Sequence, residues 1–273
     1  MTKSINKCPY CSNAKCNVAL KVASPEKDIY AKLISAKFPS SVNYLKCDEC
    51  GLTFRDQVLS EEESINLYSN HYRGHILKNM SANDYFDLIV NLPTDRSELD
   101  SKISNLKLLL NGLSICKGLD IGCGVGAFIY KLKAAIPSLV MEGVEPTPEF
   151  ASIASKRNNS IVKNQSYDGF SLAEYDLVTL VHVLEHTQSP WKFMELIGEN
   201  MKSGAYLYLE TPSIEDIVAL EPDHDRFTSP HNYLFSKEFV SDCLLKAGLH
   251  PLSINYATTK RGKVDLRALA IKA

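Results

Sequence analysis

Two pairs of cysteines in the first fifty residues have a spacing suited to metal binding: Cys8 with Cys11, and Cys47 with Cys50. Thiolates in two C-x-x-C pairs hold Zn²⁺ in a closed tetrahedral site that stabilises a fold and does not perform catalysis. Two alternatives use the same residue types: a redox-active C-x-x-C pair, or a metal site in which Cys16 replaces one ligand. We predict a structural zinc site at the four paired cysteines, in a unit so small that metal binding supplies most of its folding energy.

A glycine-rich loop over 122–126 lies between an apolar run that predicts a buried strand and a helical pattern over 127–135. Strand, tight glycine turn and helix form the first unit of a doubly wound α/β sheet, with a ligand site at the helix N-terminus. Gly122, Gly124 and Ala127 also satisfy the dinucleotide fingerprint G-x-G-x-x-G/A. Asp120, just before the loop, would repel a pyrophosphate and attract a ligand that carries positive charge and an amino group. S-adenosylmethionine (SAM) has both, in its sulfonium and its α-ammonium.

The stretch LDIGCGVG resembles motif I of the class I SAM-dependent methyltransferases. This resemblance implies an α/β fold with a Rossmann-like sheet, parallel except for a carboxyl-terminal antiparallel hairpin. It also implies that five residues of the stretch contact SAM. These are Asp120, Gly122, Cys123, Gly124 and Gly126.

Further cofactor contacts are expected where the next strands end. Glu145, followed by Pro146, ends the predicted second strand about 20 residues past the glycine loop, where an acidic side chain accepts hydrogen bonds from both ribose hydroxyls. By resemblance, Val181 in the fourth strand adjoins the cofactor, and the turn after the third strand contacts adenine. That turn is Gln165, Ser166 and Tyr167. It lacks the usual acidic residue, so the side chain that recognises the adenine amino group is left open.

The fourth predicted strand leads into the pentapeptide HVLEH over 182–186, and DLVTLVHVLEHTQSPWKF resembles the fourth-strand motif of small-molecule methyltransferases. His182 at the end of this strand, and His231 in a long insertion over 213–235, are the candidate general bases for an acceptor hydroxyl. Alternatively, His182, Glu185 and His186 bind a divalent metal ion. A third interpretation is that Glu185 and His186, on the substrate side of the site, only cap and brace the following helix. HVLEH also matches the H-x-x-E-H motif of some zinc proteases, but that interpretation conflicts with the SAM-binding motif I earlier in the chain.

Three regions are predicted to position these groups: a zinc ribbon over 1–55, a helical cap or linker over 56–112, and the SAM-dependent methyltransferase domain over 113–273. The cap has a helical pattern over 61–80. By resemblance, its Tyr72 and Arg73 are candidates to line the substrate or the SAM carboxylate, with amphipathic surface positions as the alternative.

The ribbon contains a second, shorter helical pattern between its two predicted strands. Ser24 is predicted to cap this helix, and Ile29, Leu33 and Ile34 share one face of it. Residues 1–55 carry nine Lys or Arg against four Asp or Glu, which could form a nucleic-acid patch. Because few aromatic residues lie among these charges, a solvated surface is favoured.

Composition limits the function classes further. The chain has 273 residues and a formal net charge of −2, which gives no overall attraction to nucleic acid. No apolar run approaches the roughly 20 residues of a membrane span, and the N-terminus has no apolar core typical of a signal peptide. We therefore expect a cytoplasmic protein with no membrane partner.

The ribbon, the HVLEH motif and the later HNYLFS stretch together resemble bacterial zinc-ribbon methyltransferases that act on sugars and nucleotide-linked sugars. The resemblance implies methyl transfer to a hydroxyl of such an acceptor, in surface polysaccharide or secondary-metabolite synthesis. Sugar C-methyltransferases carry an additional carboxyl-terminal domain that is absent here, which favours O-methylation. The alternative is an RNA methyltransferase that uses its ribbon to bind RNA. An inactive SAM-binding module is a third class, which Asp120 and Glu145 disfavour.

Overall fold

The computed structural model describes residues 2–23, 25–77 and 80–273, without the side chains of residues 25, 69, 73, 75, 76, 216 and 225. The amino-terminal part contains short strands and one short helix. In chain order these are β1 (Lys3–Ser4), β2 (Cys16–Lys21), a 3-10 turn at Pro25–Lys27, α1 (Ile29–Leu33), β3 (Asn43–Cys47), β4 (Thr53–Arg55) and β5 (Gln57–Val58). The strands predicted on either side of the short helix are therefore confirmed.

Helices follow over the predicted cap region. They are α2 (Glu61–Asn66), a π-helical turn at Leu67–His71, α3 (Tyr72–Leu77), α4 (Ala82–Val90) and α5 (Glu98–Leu109). Ser60 caps α2 in a capping box, since its hydroxyl accepts from the Glu63 backbone while the Glu63 carboxylate accepts from the Ser60 backbone. No helix among the described residues is both long and apolar enough to cross a membrane.

The remaining elements alternate strand and helix. They are β6 (Lys117–Ile121), α6 (Ala127–Ala135), β7 (Val140–Val144), α7 (Pro148–Asn158), β8 (Val162–Lys163), β9 (Leu177–Val181), a 3-10 turn at Leu184–His186, α8 (Pro190–Asn200), β10 (Tyr206–Pro212), α9 (Asp216–Ala219), a 3-10 turn at Asp225–Phe227, β11 (Tyr233–Leu234), α10 (Lys237–Lys246), β12 (Leu249–Thr258) and β13 (Val264–Lys272).

Among the described residues, seven strands form the central sheet in the order β12-β13-β10-β9-β6-β7-β8. All neighbours are parallel except β13, which is antiparallel to both β10 and β12. The predicted Rossmann-like sheet with a closing antiparallel hairpin is therefore confirmed. The central strand β9 reads LVTLV and is buried along its first four residues, as expected for a strand covered on both faces.

The ribbon shares a sheet with the insertion. Strands β2, β3 and β4 pair antiparallel, and β11, which lies within 213–235, extends this sheet beside β4. Tyr10 in the first cysteine pair packs against Trp191 and Phe239 at ring distances of 5.4 and 5.1 Å. The domain boundaries at residues 55 and 112 remain predictions. The ribbon packs on the rest of the chain through these contacts.

The short ribbon helix differs from its prediction. Ser24 lies outside the described residues, and the observed cap is Asp28, whose Oδ1 accepts from the backbone nitrogens of Tyr30 and Ala31 at 3.1 and 3.2 Å. Ala31 is buried, whereas Ile29 and Leu33, on the predicted apolar face, are exposed. A tertiary contact explains the difference. Asp28 also accepts from the Ser229 backbone at 2.6 Å, and this inward anchor fixes the rotation of the helix.

Candidate functional site

The glycine loop folds back against β7 in a conformation that needs glycine. Gly122 has φ 76°, and a Cβ there would lie 2.7 Å from a methyl of Val183. The backbone nitrogens of Gly122 and Cys123 both donate to the Val144 carbonyl, at 2.7 and 3.1 Å. Gly126, at φ 82°, would bring a Cβ within 2.8 Å of Ala154. Any side chain at either glycine would therefore add backbone strain and separate packed elements.

Asp120 is a buried carboxylate beneath this loop. It is 2% exposed, and its Oδ1 accepts a hydrogen bond from the Thr179 hydroxyl at 2.6 Å. Burial raises its pKa to about 7; the Thr179 hydrogen bond acts in the opposite direction, and the nearby negative charge of Glu145 adds to the increase. Near neutral pH, the protonated and ionised forms of Asp120 are therefore present in comparable amounts.

Glu145 directly follows β7 and has no exposed surface. One carboxylate oxygen accepts from the Gly124 backbone nitrogen and the other from that of Thr147, both at 3.0 Å. These bonds fix the carboxylate between the glycine loop and the start of α7. Each oxygen can accept a further hydrogen bond from a ligand.

A cavity of about 460 Å³ opens at the carboxyl ends of β6, β7 and β9. This is where a doubly wound sheet binds its ligand. The predicted site residues on its wall are Tyr72, Gly122, Glu145, Pro146, Gln165, Ser166, Tyr167, Val181, His182 and His186. Among the described residues, other predicted positions lie off this wall: Asp120, Cys123, Gly124, Gly126, Glu185 and His231. The Arg73 side chain lies outside the described residues.

Several wall residues are not among the predicted site residues. They are Tyr68, Ile121, Val144, Thr147, Val183, Thr187 and Phe193. Tyr68 precedes the predicted Tyr72 by four residues, so helical spacing already placed both on one face. Here a π-helical turn over Leu67–His71 joins the two, and their rings lie 5.0 Å apart. Such turns are frequent at functional sites.

His182 lies at the end of β9 with a left-handed backbone, φ 54°. Its Nδ1 is 2.9 Å from a Glu185 oxygen, and its Nε2 is 3.2 Å from Glu210 and 3.6 Å from Asp265. About a third of the side chain is exposed, 33%, where it lines the cavity. Three carboxylates thus surround one imidazole.

Cations on other elements balance these carboxylates. Lys102 of α5 contacts Glu210, which also accepts from Arg267 Nε at 2.7 Å. Arg226 of the insertion donates to Asp265 at 2.7 Å. The Glu185 carboxylate and the charge on His182 itself complete an ion network that joins the cap, the sheet and the insertion.

The network sets the charge of His182. Burial and the Lys102 cation act to lower its pKa, but hydrogen bonds to Asp265, Glu185 and Glu210 outweigh them and raise it well above the ordinary value. Burial acts to raise the pKa of the Glu185 carboxyl, yet the hydrogen bond and charge of His182 lower it to about 2. At neutral pH His182 is therefore an imidazolium beside the Glu185 carboxylate. An imidazolium has no lone pair with which to accept a proton.

His186 and His231 form a second cluster, on the other side of Glu185. Their rings lie 5.2 Å apart. His186 Nδ1 is 3.0 Å from the Tyr68 hydroxyl and 3.1 Å from the Pro230 carbonyl, while His231 Nδ1 is 2.7 Å from the Arg226 carbonyl. Burial, followed by the charge of His186, lowers the pKa of His231 to about 3, so this imidazole is neutral.

The HVLEH motif is therefore divided between two clusters. Within the described residues, His182 groups with Glu210 and Asp265, whereas Glu185 and His186 group with His231. The predicted set of His182, Glu185 and His186 does not come together as one cluster. Histidines at i and i+4 share a face only on a continuous α-helix. Here His182 follows strand β9 and His186 ends a 3-10 turn, so no continuous helix places the two rings on one face.

The four paired cysteines come together at the base of the ribbon. Their sulfur atoms all lie within 4.8 Å of one another, and Cys8–Cys50 and Cys11–Cys47 are each 3.5 Å apart. Zn–S bonds of about 2.3 Å in a tetrahedron set sulfurs about 3.8 Å apart, so the arrangement fits zinc. Cys16 lies outside this set and directs its sulfur at the Asn13 carbonyl, 3.6 Å away.

Comparison with known proteins agrees with this geometry. A family model described as a methyltransferase domain matches residues 73–254, well over half of the chain. The tRNA U34 carboxymethyltransferase of Dichelobacter nodosus (strain VCS1703A) is 25% identical over 146 residues, which is 50% of this chain and 46% of the relative. The aligned region therefore spans about half the length of that curated protein.

Solved structures share the fold at low sequence identity. Magnesium protoporphyrin IX methyltransferase from Synechocystis PCC 6803, with bound S-adenosylhomocysteine (SAH), gives a TM-score of 0.54 at 15% identity, over 75% of this chain and 100% of that one. A SAM-dependent methyltransferase from Thermotoga maritima gives 0.54 at 21% identity, over 73% and 99%. With the sheet order, the glycine loop and the family match together, the chain belongs to the methyltransferase-domain family and is a class I SAM-dependent methyltransferase.

Proposed function

We propose that this enzyme transfers the methyl group of SAM to a hydroxyl of a small polar acceptor, of the sugar or nucleotide-linked sugar class. The observation that carries the proposal is the cavity itself. Its wall combines Glu145 and Gly122 of the glycine loop with an aromatic cluster of Tyr68, Tyr72 and His186, and we take the first group as its cofactor end and the second as its acceptor end. A cavity of this size is typical of small-molecule sites.

At the cofactor end, we propose that Glu145 accepts from the ribose hydroxyls and that Gln165, Ser166 and Tyr167 surround the adenine. Asp120, beneath the loop, favours the SAM ammonium through its charge. The glycine loop contributes backbone close to the ligand at Gly122, where a side chain has no room.

At the acceptor end, the rings of Tyr68 and Tyr72 offer apolar faces to a sugar ring, and their hydroxyls with Thr187 offer hydrogen bonds. Methyl transfer is an in-line displacement at carbon, so the enzyme must hold the nucleophile beside the methyl group and exclude water. A base then assists by taking the hydroxyl proton. Because His182 is already charged and the pKa of His231 is lowered to about 3, we assign proton acceptance to His186, with His231 positioned beside it. We assign His182 to holding Glu185 in place.

A screen of SAM turnover against nucleotide-sugars, phenols and RNA tests the acceptor class, with SAH formation as the readout. We expect turnover with nucleotide-sugars. Faster turnover with phenols or RNA would contradict the proposal.

His186→Asn and His231→Asn test the assignment of the base. We expect turnover to fall about 10²- to 10⁴-fold, with SAM affinity nearly unchanged because the cofactor contacts lie at the other end of the cavity. His250→Asn is the matched control, since His250 is exposed on β12. Full turnover in both site variants would show that positioning alone supports the reaction.

We also propose that Cys8, Cys11, Cys47 and Cys50 bind one structural Zn²⁺ per chain. The sulfur spacing supports it, and the closed set leaves no position for a substrate. Metal analysis of the purified protein tests it directly.

An RNA acceptor is the second candidate, because the curated relative from Dichelobacter nodosus is a tRNA carboxymethyltransferase by name. The ribbon's excess of Lys and Arg would supply phosphate contacts. Retention on RNA with a steep dependence on salt concentration would support this candidate. Weak, salt-insensitive retention would leave the small acceptor as the better proposal.

A further inference from the structure

We infer that Glu185, His186 and His231 form a binding site for a divalent transition-metal ion beside the acceptor end of the cavity. Metal binding here does not depend on which acceptor the enzyme uses. The role of the ion in catalysis, in contrast, rests on the hydroxyl acceptor proposed above.

The first argument is the donor set. One nitrogen from each histidine and one carboxylate oxygen all lie within 4.8 Å of one another. Around a bound ion with bonds of about 2.1 Å, adjacent ligand atoms lie about 3–4 Å apart, so small side-chain rotations close the set. Two imidazoles and one carboxylate suit Mn²⁺, Fe²⁺, Co²⁺ or Zn²⁺ better than Mg²⁺, which prefers oxygen ligands alone.

The second argument is the set of groups behind the ligands. Metal-binding histidines usually donate their other ring N–H to a backbone carbonyl or carboxylate, which fixes the tautomer. Here His231 Nδ1 is 2.7 Å from the Arg226 carbonyl and His186 Nδ1 is 3.1 Å from the Pro230 carbonyl. If each Nδ1 donates its hydrogen to that carbonyl, Nε2 keeps the lone pair that a metal requires. At His186 this requires that the Tyr68 hydroxyl, 3.0 Å from Nδ1, directs its hydrogen to the Pro230 carbonyl and not to the ring.

Glu185 is held in the same manner. One of its oxygens is 2.9 Å from His182 Nδ1, and the other accepts from the Thr211 hydroxyl at 3.1 Å. Glu185 has no exposed surface, so these two contacts fix its orientation. A carboxylate oriented from behind is a better ligand than a mobile one.

A third argument distinguishes this cluster from its neighbour. His182, Glu210 and Asp265 also lie close enough together to hold an ion. There, however, Lys102 and Arg267 contact Glu210, and Arg226 contacts Asp265, so protein cations already occupy the carboxylates. A divalent cation would have to displace them, whereas within the part of the chain that the structure describes Glu185 pairs with His182 and with no Lys or Arg.

The location gives the ion a purpose. His186 lies on the cavity wall beside Tyr68 and Tyr72, so an ion bound to it adjoins the proposed acceptor end. A metal-bound hydroxyl loses its proton more readily. In this arrangement His186 and His231 would promote deprotonation by holding the ion.

The experiment uses the full-length protein with its ribbon loaded with zinc. Mn²⁺ is the first probe, because it prefers nitrogen and oxygen to thiolates and leaves the cysteine site undisturbed. Titration followed by electron paramagnetic resonance measures the loss of the free-ion signal, and Co²⁺ is used in the same way by absorption. We expect about one ion bound per chain, and an affinity at least about 10-fold weaker in His186→Asn and in His231→Asn.

His250→Asn, at an exposed histidine, should bind like the parent. Unchanged circular dichroism and SAM affinity in each variant establish that it is folded. The inference is overturned if the parent binds neither Mn²⁺ nor Co²⁺, or if both site variants bind them like the parent. Metal binding without turnover of any sugar would refute the proposed acceptor and leave the metal site standing. Turnover of a sugar without metal binding would support the proposed acceptor and overturn the metal site.

Discussion

Glu145 and Asp120 illustrate how position decides the behaviour of a buried carboxylate. Glu145 lies between two backbone nitrogens and borders the cavity. Asp120, on the neighbouring strand, accepts a hydrogen bond from the Thr179 hydroxyl, and burial raises its pKa to about 7. We propose that Glu145 receives ligand hydroxyls, and that Asp120 carries a cost of ionisation that a cationic ligand would relieve.

Glu145→Ala should weaken SAM binding because two ribose hydroxyls would lose their charged acceptor. The expected loss is about 1.5–3 kcal/mol, which corresponds to about 10- to 150-fold in affinity. Calorimetric titration with SAM measures it. Glu149→Ala, at an exposed glutamate on α7, is the matched control. Equal affinity in both variants would place the ribose elsewhere.

Asp120→Asn should stabilise the unliganded enzyme at alkaline pH while weakening its affinity for SAM. The folded pKa of about 7 lies above the unfolded value of 3.8, so the contribution of Asp120 to stability is full below pH 3.8 and is lost as pH rises to about 7. Asparagine is neutral throughout. We expect the variant to exceed the parent by about 1–3 kcal/mol in free energy of unfolding at pH 8, with little difference near pH 4.

Denaturant unfolding of both proteins at several pH values measures this difference. A constant difference across the range would mean that Asp120 ionises in the folded state as it does in the unfolded chain. Unchanged SAM affinity would argue against a role in attracting the cofactor.

At the scale of elements, the ribbon holds the insertion that carries His231. Strand β11 pairs with β4, the Tyr44 hydroxyl donates to the His231 carbonyl at 2.6 Å, and Arg55 donates to the Phe227 carbonyl at 2.9 Å. Tyr44 and Arg55 have no exposed surface. We therefore expect the cysteine site to support the proposed acceptor side of the cavity through strands that it stabilises.

Cys47→Ser should remove zinc and loosen residues 226–235, although these are distant in sequence. We expect faster amide hydrogen exchange in that segment and a lower melting temperature, because β3 and β4 lose their metal anchor. Cys16→Ser is the control, since Cys16 belongs to the same ribbon but lies outside the sulfur cluster. Normal zinc content in Cys47→Ser would refute the site, and unchanged exchange at 226–235 would refute the coupling.

At the scale of the whole molecule, one apolar core spans both sheets. Cys8, Cys47 and Phe54 of the ribbon belong to the same buried cluster as Leu119 and Val178 of the central sheet. Because these residues pack together, we expect the chain to unfold in a single transition that ligand binding shifts as a unit.

SAM at a concentration about 100 times its dissociation constant should raise the melting temperature by about 5–10 °C. Ligand binding at that ratio adds about 2.7 kcal/mol, and each kcal/mol shifts a chain of this size by about 2–4 °C. Differential scanning calorimetry measures the shift. NADH at the same concentration should give none, since Asp120 disfavours a pyrophosphate. A shift with NADH alone would restore the dinucleotide interpretation of the loop.

The sequence was sufficient for the features that local patterns determine. The cysteine spacing predicted the sulfur cluster at Cys8, Cys11, Cys47 and Cys50. The glycine loop and the alternation of apolar runs predicted the sheet and its closing hairpin, because buried parallel strands and left-handed turns tolerate few residue types. The distance of Glu145 from the loop along the chain predicted its position after the second strand of the sheet, and its role as the ribose acceptor remains a prediction.

Only the tertiary structure decided how distant side chains combine. The HVLEH motif suggested one cluster, but His182 meets Glu210 and Asp265 from β10 and β13, while His186 meets His231 from the insertion. The charge on His182 follows from those partners, which lie 28 and 83 residues further along the chain. No local pattern encodes such contacts, because pKa values and donor sets depend on which elements the fold brings within a few ångströms.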